Sequence, residues 1–153
     1  MGRLGERRDE ATMINPDLTE YVRTLVRGDY VANDEIEARL DANGWEGFPR
    51  FLAALFFVAV DRRFGESGDR SDVIKFVGEL RAQLADGGPH IQPEAAEALI
   101  FSIIDPSADY DLTQAMIGRV QAATVQKVLT DADLADAELD AVLAEAVALA
   151  SRG

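Results

Sequence analysis

Residues 45–64 read WEGFPRFLAALFFVAVDRRF, and from Phe51 to Val60 no side chain carries a charge or a hydrogen-bonding group. Such a run is a membrane segment, the wall of a ligand pocket or the buried axis of a helical protein. Crossing a bilayer takes about 20 apolar residues, and this run is roughly half that length. Arg50 stands before it and Asp61-Arg62-Arg63 follow it. A helix that is apolar on every side belongs inside a protein, against other helices. Phe51, Leu52, Leu55, Phe56, Phe57, Val58 and Val60 are therefore expected to meet neighbours in several directions, with residues 49–64 as the axis of the core.

Outward from that helix the chain repeats helix signals and shows almost no strand signals. Asn15-Pro16 predicts a cap with proline at the first helical position, and Gly28 predicts the stop. Leu18, Tyr21, Val22, Leu25 and Val26 lie between them at helical spacing. A second helix is expected from Asp34 to about Ala42, capped by Asn33 and closed by Asn43-Gly44. Pro49 opens the third and Gly65 ends it. Ser71 is expected to cap a fourth, whose stripe is Val73, Ile74, Val77, Leu80, Arg81 and Leu84, broken at Asp86-Gly87-Gly88-Pro89. Pro93 opens a fifth that must stop before Pro106; a sixth covers about 112–129 and a seventh 137–150. These signals predict an all-α fold: a single compact domain of about seven helices over 14–153, packed around the central hydrophobic helix.

Two internal echoes suit a construction from helical hairpins. Residues 31–40 match 134–143 in character, and PRFLAALFFVAVD (49–61) resembles PEAAEALIFSIID (93–105). Residues 1–13 carry Arg3, Arg7 and Arg8 with no apolar run behind them, so they are expected to form a tail rather than a signal peptide, with Met13 an alternative start to Met1.

Composition narrows the function classes. In 153 residues, 48% are hydrophobic, which is enough apolar material for a core. The formal charge of -13 repels nucleic-acid phosphates and anionic membranes at long range, so neither is an expected partner. There is no cysteine, which removes thiolate catalysis and thiolate metal sites and fits a reducing, cytoplasmic setting.

Catalytic sets are missing in the same way. A serine triad would depend on the single histidine, His90, in a Gly-Gly-Pro-His turn, and no serine sits in a Gly-x-Ser-x-Gly elbow. A helical di-iron centre needs two Glu-x-x-His pairs. No glycine-rich phosphate loop follows a strand. No catalytic residue and no cofactor is therefore expected.

Weaker sites remain. Arg62, Arg63 and Arg70 lie near the start of the fourth helix, whose free amides favour anions, although Asp61, Glu66, Asp69 and Asp72 share the loop. Asp105, Asp109 and Asp111 partly match a calcium loop, but Tyr110 stands where glycine is required. Asp131, Asp133 and Glu138 are the other candidate oxygen set for a divalent metal. Their joint resembles the acidic turn of tellurite-resistance helical domains, a likeness confined to that joint that implies no activity.

Interaction surfaces complete the reading. Trp45, the only tryptophan, lies between two glycines at a helix joint, as an interface anchor or as packing over the end of the central helix. Leu139, Val142, Leu143, Ala146, Val147 and Ala150 form an apolar face on the last helix, open to a partner in the same chain or in a second copy. The expected function is a non-enzymatic protein-interaction domain, adaptor or regulatory, whose partner is another protein or a second copy of itself. The alternative is a small-ligand or divalent-metal protein that uses the acidic joints or an apolar pocket.

Overall fold

A computed structural model describes residues 14–65, 68–84 and 91–152. The expected tail over 1–13, Glu66, Ser67, the break at 86–89 and His90 lie outside the described residues. Within them there are seven helices and no strand: α1 (Pro16–Arg27), α2 (Tyr30–Asn43), α3 (Phe48–Phe64), α4 (Arg70–Gln83), α5 (Pro93–Ile104), α6 (Gln114–Asp131) and α7 (Asp136–Arg152). The chain is all-α, as its patterning predicts. None of the described helices is long and apolar enough to cross a membrane. The contacts divide the chain into two units, residues 14–55 with 133–152, and residues 56–132.

The first unit holds α1, α2, α7 and the start of α3. Helix α1 begins where expected: Asn15 Oδ1 accepts the Asp17 N–H at 3.0 Å and Pro16 occupies the first turn. It ends at Gly28, whose φ of 73° is a left-handed conformation that glycine adopts without a Cβ clash. Helix α2 then starts almost at once, capped by Asp29, which accepts the Ala32 N–H at 3.4 Å. This corrects the expectation that Asn33 is the cap. Asn33 lies one turn inside α2, buried, with Nδ2 donating to the Tyr21 carbonyl at 2.8 Å and to Thr24 Oγ1 at 3.1 Å. Because Gly28 turns the chain so tightly, the side chain expected to open α2 instead clasps it to α1. Helix α7 is tied to α1 by Arg23–Asp140 (2.6 Å) and Arg27–Asp136 (2.8 Å). These pairs are partly exposed, and pairs of that kind contribute little. Apolar burial dominates: Leu18, Val22, Ile36, Leu40, Phe51, Leu55, Leu139, Leu143 and Ala146 are all buried.

The second unit holds the rest of α3 with α4, α5 and α6; α4 packs on α5 and α6, and α5 packs on α6. Helix α4 opens earlier than Ser71 would set it. Asp69 and Asp72 form a capping box, with the Asp72 N–H on Asp69 Oδ1 at 2.9 Å. Its buried face is Val73, Phe76, Val77 and Leu80, while Ile74 is half-exposed, so the inward stripe is rotated towards Phe76 from the one expected. Helix α5 starts at Pro93 and stops at Ile104, before Pro106. Helix α6 is capped by Thr113, whose hydroxyl accepts the Met116 N–H at 3.1 Å.

Helix α3 spans the boundary between the units. Phe51, Leu52, Leu55, Phe56, Val58, Ala59, Val60 and Phe64 are buried. Both ends of the helix are exposed, at Pro49 and Arg50 and at Asp61, Arg62 and Arg63. Between them Ala53 and Phe57 are exposed on the side shared with Arg50 and Asp61, at offsets of 3, 7 and 11 residues. Phe57 is 46% exposed, which corrects the expectation that it meets neighbours like the other phenylalanines. An all-apolar run carries no polar residue to mark its outer edge, so the sequence pattern does not show where the water begins.

Candidate functional site

The first unit gathers three aromatic residues. Tyr21 comes from the middle of α1, Trp45 from the α2–α3 joint and Phe48 from the first position of α3. The joint is shaped by Gly44 and Gly47, at φ of 110° and 84°, and the Phe48 N–H donates to the Trp45 carbonyl at 3.0 Å. Each pair of rings meets edge to face: Tyr21–Trp45 at 5.1 Å, Trp45–Phe48 at 5.3 Å and Tyr21–Phe48 at 6.1 Å between centroids. This arrangement sets the positive edge of one ring on the negative face of the next. All three residues are half-buried, so the cluster is packed beneath and open above.

Carboxylates surround the opening. The indole N–H of Trp45 donates to Asp41 Oδ1 at 2.7 Å, which fixes the ring while leaving Asp41 exposed. Burial, and then the charge of Glu37 beside the hydroxyl, push the Tyr21 phenol above its ordinary pKa, with Asp41 adding to the effect. Glu46 is exposed on the joint itself. On α1 and α2, Arg23 holds Glu20 and Asp140 and Arg39 holds Asp17 at 3.0 Å, while Arg50, near the start of α3, is exposed. The Arg39 guanidinium in turn keeps the Asp17 carboxyl below the usual carboxylate range. The result is a partly apolar patch bordered by the carboxylates of Glu37, Asp41 and Glu46.

The other expected site residues are placed differently. Leu139, Val142, Leu143, Ala146 and Ala150 are buried and Val147 is half-buried, so the α7 face is covered within the chain. Arg63 lies over the rings of Phe64 and Phe76, at 5.1 and 5.6 Å, and Arg70 over Phe101 at 4.3 Å; Arg62 is exposed. The α4 amide that an anion would take is occupied by Asp69. Asp131 pairs with Lys127 Nζ at 2.7 Å, Asp133 sits at a left-handed φ of 48°, and Glu138 accepts the Ala135 N–H at 3.1 Å. Among the described residues no three acidic or histidine side chains converge as a metal ion requires. Asp105 accepts both the hydroxyl and the backbone N–H of Ser107, at 2.7 and 3.0 Å, and these bonds hold its carboxyl below the ordinary value.

Sequence reasoning singled out Trp45 but not Tyr21 and Phe48 as its partners. It also passed over Lys127, which is buried on the inner face of α6. A lysine at that position was visible as a cation one turn from Thr124 and four residues before Asp131. The chain matches no protein-family model, no curated protein and no solved structure.

Proposed function

We propose that this protein is a non-enzymatic interaction domain that binds a basic segment of another protein over the Trp45 cluster. The observation that supports it most directly is the half-exposed Trp45, locked by Tyr21, Phe48 and Asp41 and bordered by Glu37, Asp41 and Glu46. A rigid aromatic residue loses little entropy on binding, and tryptophan is enriched among the residues that dominate interface energy. An arginine or lysine laid over the indole face would gain a cation–π contact and a nearby carboxylate together. Charge also chooses between partners. A second copy brings another -13 to the interface, whereas a basic segment is drawn in.

The test is to capture partners with the full chain, map the bound segment, and measure its affinity for the native chain and each variant by isothermal titration calorimetry, which needs no tryptophan signal. The mapped segment should carry net positive charge. Trp45→Ala should weaken binding by about 2 kcal/mol or more, roughly 30-fold, with Trp45→Phe in between. Glu37→Gln combined with Asp41→Asn should weaken binding further at low salt and flatten its salt dependence. A partner held equally well by the Trp45→Ala protein, or one with an acidic contact segment, would remove this reading.

A further inference from the structure

The second unit contains a cleft of about 170 Å³ lined by Leu80, Gln83 and Leu84 of the α4 end and by Ala123, Gln126, Lys127, Thr130 and Asp131 of α6. Its floor is unusual. The Lys127 side chain is only 4% exposed, with Nζ 5.4 Å from the centre of the Phe76 ring and 2.7 Å from Asp131 Oδ2. A buried ammonium is costly unless it is paired and its hydrogen-bonding capacity is used. Asp131 supplies one carboxylate and is itself 52% exposed, so the pair lies with its cation inward and its anion at the mouth.

The pairing at Nζ uses one of the three N–H donors a lysine ammonium has. Among the described residues the side chains of Gln83, Gln126 and Thr130 make no hydrogen bond to the protein, so three further polar groups stand ready around the cleft. Leu80, Leu84 and Ala123 supply an apolar wall. The volume is below the roughly 300 Å³ at which drug-sized pockets begin, so the occupant is small.

We propose that this cleft binds a free aliphatic amino acid as its zwitterion. The ligand carboxylate reaches the inward Lys127 ammonium, the ligand ammonium meets the half-exposed Asp131 carboxylate, and the side chain rests on Leu80, Leu84 and Ala123. The charge pair of the cleft matches a zwitterion head to tail. A net-neutral ligand also escapes the long-range repulsion that a chain of charge -13 exerts on a simple anion. This site is independent of the Trp45 cluster, and its residues all belong to the second unit.

The experiment is an amide NMR titration of the full chain with leucine, with 4-methylpentanoate (which lacks the ammonium) and with 3-methylbutylamine (which lacks the carboxylate). Leucine should shift the amides of α4 and α6 around the cleft, and both one-ended analogues should bind at least tenfold more weakly. Lys127→Met should abolish the leucine shifts. Ala123→Leu, which fills the cleft and keeps the ion pair, should abolish them too, so the result survives if the lysine variant folds poorly. No saturable shift with leucine on the native chain overturns the proposal. So does binding of the carboxylate or the amine as tight as that of leucine, or leucine binding unchanged in Ala123→Leu.

Discussion

Replacing Phe51 by alanine is expected to cost about 3–5 kcal/mol of folding stability, while Phe57→Ala costs less than about 1 kcal/mol. The two residues are alike in type, lie on the same helix and are separated by less than two turns. They differ in what surrounds them: Phe51 is fully buried and Phe57 is 46% exposed. Truncating Phe51 removes the transfer energy of a whole ring and leaves a cavity whose lining cannot fully collapse. Truncating Phe57 deletes a ring that already meets water on one side. In a chain of this size the first change should lower the melting temperature by roughly 6–20 °C and the second by a few degrees at most. Thermal unfolding followed by circular dichroism separates the two outcomes. Equal losses at both positions would mean that α3 is buried on all sides, as its composition alone predicts.

The second large effect is expected on α7. Leu143→Ala should destabilise the fold by about 2–5 kcal/mol, and Leu149→Ala by about 1 kcal/mol or less. Leu143 is fully buried in the first unit, whereas Leu149, on the same helix, is only half-buried and leaves a smaller void when truncated. The contrast matters for function as well as folding. If α7 spends its apolar face inside the chain, Leu143→Ala weakens any interaction only through loss of folded protein. Chemical denaturation of both variants, set beside their affinity for the captured partner, tells the two apart. A Leu143→Ala protein of native stability with lost binding would move the interface from the Trp45 cluster to α7.

Much of this fold is legible in the sequence, because the signals involved are local. Asn15-Pro16 and Pro93 start helices where they stand, since proline fixes its own φ and gives up only an amide that the first turn leaves unpaired. Gly28 stops α1 because it takes up a backbone conformation that other residues resist. What the sequence hides depends on choices between local equals. Asp29 and Asn33 are both good caps, and only the direction in which Gly28 turns the chain decides that Asp29 caps and Asn33 clasps. The stripe of α4 shows the same limit, because Ile74 and Phe76 are equally apolar and one helical rotation decides between them.

The candidate sites were less legible still. Trp45 stands out as a lone tryptophan between glycines, but its partner Tyr21 reads as one more member of the α1 stripe until the joint folds back over it. Lys127 reads as a surface cation because lysines usually are. Its burial follows from the rotation of α6, which points Val120, Thr124, Lys127 and Val128 inward together. Among the carboxylates of the acid-rich stretches, Asp69, Asp105 and Glu138 each accept a hydrogen bond from a nearby backbone amide, a local pairing that spacing alone does not reveal.

The central claim is that between Phe51 and Val60 α3 is enclosed by protein except along the side that carries Ala53 and Phe57. The chain has no cysteine, so single cysteines introduced along the helix report accessibility against an empty background. Labelling rates with a water-soluble thiol reagent should be fast for cysteine at positions 53 and 57. At positions 51, 55, 56 and 60 they should be slower by on the order of a thousandfold, since reaction there waits for the structure to open. Uniformly fast labelling along the helix, or a pattern alternating every second residue, would contradict the account.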